Sequence, residues 1–151
     1  MASPLTDLAN EVVAALNASS TFSQTFTAEL SYLSAYTPKD GETLRVMVMP
    51  AAATYGDKGG GLRSARRFAR CDYMVDVGVF ARVDAADGQL DADAMESMLE
   101  LMDEIYLALL DASFSAPVEA VENEPVYDPK DAGSGLFVSV LSIRFRMDRR
   151  V

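Results

Sequence analysis

The sequence predicts an α+β domain: a mostly antiparallel sheet of about five strands, a long helix packed across it, and an N-terminal helix. Three observations carry that expectation. Residues 91–112 repeat apolar side chains at steps of three and four, the period of an amphipathic helix. Other segments alternate apolar and polar residues or form short branched runs, the period of strands. The two kinds of segment follow in the order helix, three strands, helix, two strands, and a helix with one apolar face needs a sheet to lie on.

Each element follows from local chemistry. Ser3-Pro4 is a capping hydroxyl followed by proline at the first helical position, and Leu5, Leu8, Val12, Val13 and Leu16 then form an apolar stripe. Asn17-Ala18-Ser19-Ser20 ends that helix. Residues 26–36 alternate Phe26, Ala28, Leu30 and Tyr32 against Thr27, Glu29 and Ser31, a half-buried strand. Pro38-Lys39-Asp40-Gly41 signals a turn, and residues 43–49 form a second strand stopped by Pro50, so the two should pair as an antiparallel hairpin. Residues 51–70 lose all pattern and contain Gly56, Gly59, Gly60 and Gly61; a long flexible loop is expected there. Residues 71–83 form the longest strand, with Tyr73, Val75, Val77, Val79 and Ala81 on one face and Asp72, Met74, Asp76, Gly78 and Phe80 on the other.

An acidic turn, 84–88, leads to the central helix. Asp91 is its cap, Asp93 sits near the positive end of its dipole, and Leu90 and Met95 occupy staple positions. Its apolar face holds Met95, Met98, Leu99, Met102, Ile105, Tyr106, Leu109 and Leu110; Glu96, Ser97, Glu100, Asp103 and Glu104 fill the other side. A strand at 117–121, a rigid extended link at 122–129 and a second flexible loop at 130–135 follow. Residues 136–147 close the fold as a strand, with Phe137, Leu141, Ile143, Phe145 and Met147 opposed to Val138, Ser142, Arg144 and Arg146. No repeat or second domain is visible across residues 1–151.

Composition narrows function. A net charge of −10 argues against a surface given over to nucleic acid. No basic segment followed by an apolar run opens the chain, and no stretch approaches a membrane span, so a soluble protein made in the cytoplasm is expected. Asn17-Ala18-Ser19 matches a glycosylation sequon, which carries no weight without secretion. The chain has no histidine, which removes Ser-His-Asp and Cys-His catalysis and imidazole metal ligation. The glycine-rich segment 56–62 is no phosphate loop, because Leu62 stands where lysine is required. The acidic run Asp84, Asp87, Asp91, Asp93 is no calcium loop either: with Gly88 aligned to the loop glycine, Val83 and Ala94 fill the first and last ligand positions. Cys71 reads as a small core residue. Catalytic, cofactor and metal residues are therefore not expected.

Charge segregation is the feature that points to function. Lys58, Arg63, Arg66, Arg67 and Arg70 lie in the long loop, and Arg144, Arg146, Arg149 and Arg150 at the C-terminal end, in a chain otherwise strongly acidic. Such segregation suits docking of a basic arm on an acidic surface of another subunit, or contact with phosphate. A plainer reading pairs Arg144 or Arg146 with Asp72 or Asp76 across neighbouring strands. Apart from Tyr55 and Phe68 the loop lacks the aromatic platforms that read bases.

Across most of its length the chain resembles the tail terminator, or tail-completion, neck proteins of tailed bacteriophages. The resemblance runs through Leu8-Ala9-Asn10-Glu11-Val12-Val13-Ala14-Ala15-Leu16-Asn17, Phe26-Thr27-Ala28 and Leu44-Arg45-Val46-Met47-Val48-Met49-Pro50. It continues in Tyr73-Met74-Val75-Asp76-Val77-Gly78-Val79, Glu122-Asn123-Glu124-Pro125-Val126-Tyr127 and Phe137-Val138-Ser139-Val140-Leu141. The resemblance implies a non-enzymatic ring of about six subunits in the virion neck, closed by heterologous contacts. Such a ring caps the tail tube, ends its polymerisation and docks to the head–tail connector; any contact with passing DNA would be non-specific. The glycine–arginine loop matches no motif of that family. Two other readings stand beside it: a head-completion or adaptor protein of the same particle, and a small ligand-binding or carboxylate-using enzyme built on Asp72 and Asp76.

Overall fold

The computed structural model describes residues 3–19, 21–32, 44–56, 68–84 and 88–150. The elements in order are α1 (Pro4–Ala18), β1 (Ala28–Leu30), β2 (Leu44–Gly56), β3 (Phe68–Arg82), α2 (Ala92–Asp111), β4 (Val118–Glu122), α3 (Pro129–Gly133) and β5 (Leu136–Arg150). The strands make one five-stranded sheet in the order β1-β2-β3-β5-β4, antiparallel except for β1 beside β2. The α+β class is therefore confirmed. The ladder between β3 and β5 runs unbroken from Phe68 opposite Arg150 to Arg82 opposite Leu136 and forms the centre of the sheet.

Alternation along these two strands separates the faces. Tyr73, Val75, Val77 and Val79 on β3, with Phe137, Leu141, Ile143 and Phe145 on β5, are buried in one cluster with the helices. Into that cluster α1 sends Leu8, Ala9, Val12 and Leu16, and α2 sends Met95, Met98, Leu101, Met102, Ile105 and Leu109. Cys71 is buried with them. The helix face sits slightly rotated from the expected stripe: Leu101 is fully buried, whereas Tyr106 and Leu110 are exposed and Leu99 only half-buried. Both helix starts follow their chemistry. Ser3 Oγ accepts from the Thr6 amide ahead of Pro4, and Asp91 Oδ1 accepts from the amides of Asp93 and Ala94. Leu90 forms no buried staple; it stays exposed in an isolated bridge with Asp84.

Five local expectations are corrected. β1 is three residues long and runs parallel to β2, rather than pairing with it as a hairpin. Parallel neighbours need a long crossover, which residues 31–43 are long enough to provide. The anticipated 38–41 turn lies outside the described residues. The Asn17 side chain fixes β1 in place, with Oδ1 accepting from the Ala28 amide at 2.8 Å and Nδ2 donating to the Ala28 carbonyl at 3.1 Å. β2 does not stop at Pro50 but continues to Gly56 through a register shift between Pro50 and Ala52. Proline is tolerated there because β1 pairs only as far as Val48, so Pro50 falls on an edge, at a bulge.

The 51–70 loop correspondingly shrinks, because residues 51–56 and 68–70 belong to a paired ribbon that extends the sheet; residues 57–67 lie outside the described residues. The link after β4 is bent rather than extended, with a cis bond between Glu124 and Pro125, and its Tyr127 ring stacks on Phe137 at 6.3 Å. The expected loop at 130–135 contains α3, capped by Asp128, whose Oδ1 accepts from the Lys130 amide at 2.9 Å. This is the same cap-then-proline signal that starts α1.

Gly135 ends α3 at φ +82, and a Cβ there would come within 2.8 Å of the Asp84 side chain. Its carbonyl also receives the Val83 amide, so this glycine joins the start of β5 to the end of β3. Gly135→Ala is expected to cost about 1–3 kcal/mol through left-handed strain alone, more with the Asp84 clash, as read by urea unfolding. Asp91→Ala should lower stability by roughly 1 kcal/mol through loss of the α2 cap, visible as a fall in the thermal midpoint.

Candidate functional site

The face of the sheet away from the helices has two halves. Towards the Arg82 end Met47 and Met49 of β2 and Phe80 of β3 are buried around Gly78, with the Arg45–Glu29 ion pair on the same face. A Cβ on Gly78 would lie 2.8 Å from the Phe80 ring and 3.1 Å from the Met49 methyl, so the ring occupies the space that the missing side chain leaves. Towards the other end the face is charged. Arg70, Asp72, Asp76, Ser142, Arg144 and Arg146 all sit at positions of one parity on the facing strands β3 and β5.

The register decides which charges meet. Asp72 is opposite Arg146, but its ion pair is with Arg70, two residues away on its own strand, at 3.2 Å. The other end of the Arg70 guanidinium reaches Glu119 in the β4 bulge at 2.8 Å. These contacts, first the hydrogen bond to Asp72, push the Arg70 pKa further up and hold it charged. Asp76 lies opposite Ser142 and accepts from its hydroxyl at 2.6 Å. Arg146 approaches Asp148 at 3.8 Å, and Arg144, opposite Met74, makes no ion pair among the described residues. The cross-strand pairing of Arg144 or Arg146 with Asp72 or Asp76 therefore does not form, because Ser142 and Arg70 take those carboxylates.

Of the basic residues singled out in the sequence, the structure brings Arg70, Arg144 and Arg146 onto this face. Arg149 and Arg150 fall at the end of β5, paired through the backbone with Ala69 and Phe68. Lys58, Arg63, Arg66 and Arg67 lie outside the described residues. β2 ends at Gly56, opposite Arg70, and β3 begins at Phe68, at the end of the sheet that carries these arginines.

The helix layer has the opposite character, of which the sequence reading placed only the acidic side of the central helix. α1 carries Asp7 and Glu11, and α2 carries Asp93, Glu96, Glu100, Asp103, Glu104 and Asp111; neither helix has a lysine or arginine. Among the described residues none of these carboxylates has a basic partner, since every ion pair belongs to the sheet or its β4 edge. Tyr106, Leu107 and Leu110 are exposed on the same layer. The signal was present as an absence of cations over two long helices, but it becomes a surface only once both helices share one face of the sheet.

The geometry thus defines an α+β domain whose acidic, partly apolar helix layer is backed by a sheet bearing its basic groups. No known protein family and no curated protein matches the chain. No helix among the described residues is long and apolar enough to cross a membrane. Arg70 bridges Asp72 and Glu119 at the surface of the sheet, so Arg70→Gln is expected to lower the denaturation midpoint only slightly. High salt should shrink that difference further in a denaturant titration.

Proposed function

We propose that the chain is a structural neck protein of a tailed bacteriophage. Copies of it close into a ring, six in number by family resemblance, that caps the tail tube, ends its polymerisation and docks to the head–tail connector. The observation that carries this reading is the charge division between the layers. A closed ring is built from heterologous contacts, in which one patch of each copy meets a different patch of the next. An acidic helix layer, without basic partners among the described residues, and a sheet face that carries Arg70, Arg144 and Arg146 are two such patches on one chain. The resemblance in the stretches around Leu8, Val46, Val75 and Glu122 supports the same reading.

The same division suits a neck through which DNA passes. Carboxylates repel phosphate, whereas arginines facing a lumen would bind it and slow its movement. Catalysis has little to work with: the chain has no histidine, Asp76 is engaged by Ser142, and Asp72 is neutralised by Arg70.

The test is to incubate the purified chain with tail-tube subunits and, separately, with connector rings, and to image both. Capped tubes of uniform length are expected. Attachment to connectors with no effect on tubes would replace this reading with that of a head-side adaptor. Removing residues 56–62 should leave the domain folded by circular dichroism yet sharply reduce tube capping and virion yield; unchanged yield would count against a role for the segment in assembly.

A further inference from the structure

The two helices do not close against each other along their whole length. Between their C-terminal halves lies an open cleft of about 940 Å³, at the upper end of the usual range for ligand-sized clefts. Ala14, Ala18, Leu107 and Ala108 make its apolar wall, and small side chains there let another backbone approach closely. Its rim is acidic, formed by Glu11, Glu104 and Asp111. Glu11 is held in place by the amide and hydroxyl of Ser115, and Glu104 by the amide and hydroxyl of Ser23. A carboxylate has about four acceptor positions, so both keep capacity for a further donor. The rim is thus a fixed anionic frame, without a cation among the described residues.

We infer that this cleft receives residues 57–67 of a second copy of the chain. The inference rests on the ring reading above and names the acceptor for the basic arm. The complementarity is specific. The arm holds Arg63, Arg66 and Arg67 for three rim carboxylates, and Leu62 and Ala65 for the apolar wall. Arginine suits such a frame because its planar fork bonds a carboxylate through two donors at once. A segment of this length that leaves a sheet and returns to it can span at most roughly 18 Å. Leu107, exposed in isolation, becomes the apolar contact at the centre of the junction.

Two full-length variants test this. One reverses the arm (Arg63→Glu, Arg66→Glu, Arg67→Glu). The other reverses the cleft at two exposed positions (Leu107→Arg, Asp111→Arg), leaving the core and both serine-held carboxylates untouched. Circular dichroism and thermal unfolding check that each is folded. In sedimentation velocity and native mass spectrometry the unaltered chain is expected to oligomerise and each variant alone to remain monomeric. An equimolar mixture should recover association, because the intact arm of one variant meets the intact cleft of the other and the two reversed surfaces are opposite in charge. A labelled synthetic peptide of residues 57–68 should bind the arm-reversed chain saturably and the cleft-reversed chain at least about tenfold more weakly, with affinity falling as salt rises.

An oligomer indifferent to the cleft substitutions would overturn this inference and leave the ring standing. Dimers joined through this junction that never close would sink the ring and keep the junction. Peptide binding to the arm-reversed chain while the unaltered chain stays monomeric would place the arm in its own cleft and overturn the second copy as occupant. Absence of peptide binding would overturn the inference outright.

Discussion

Everything in this molecule depends on burying one face of the β3–β5 ladder beneath α1 and α2. Each fully buried aliphatic or aromatic side chain contributes about 1.5–3 kcal/mol relative to exposure. Val75, Val77 and Val79 from the sheet meet Leu101, Ile105 and Leu109 from α2 and Leu8, Val12 and Leu16 from α1 in one cluster. Neither layer could keep its conformation alone: the helices lack a second apolar face, and an isolated sheet would expose a row of valines. The three methionines of α2 adapt to the uneven surface between branched residues.

That burial also sorts the charges. A helix lying on a sheet must turn its polar side to solvent, and on both helices the polar side is carboxylate only. The sheet's far face then has to hold the cations, and it neutralises part of its own charge through Arg70 with Asp72 and Glu119. The helix layer has no comparable internal neutralisation among the described residues. A domain that repels itself on one side while carrying spare cations on the other is suited to meeting copies or partners through unlike surfaces.

Rigid and adaptable parts are divided along the same lines. The sheet centre is an uninterrupted ladder, and Gly135 ties its far end to β3 through the Val83 amide. At the other end, β2 passes Pro50 and its bulge as an edge strand, with small residues from Ala51 to Ala53 and an exposed Tyr55 resting edge-on to Tyr73.

By itself the sequence determined the class of fold, both long helices with their caps, the two faces of β3 and β5, and the charge segregation. Those features depend on periods of two and 3.6 and on side chains acting within a few residues of their own backbone. It was misleading at β1, Pro50 and the 130–135 stretch. Strand direction, the tolerance of an edge for proline and the start of a five-residue helix depend on neighbours distant in sequence. The partners of Asp72 and Asp76 were legible only to within one face, because a register shifted by two residues keeps both faces and exchanges Ser142 for Arg144. The tertiary structure alone decided that α1 and α2 lie on one side of the sheet and converge on a cleft, because it is set by chain crossings that no local period records.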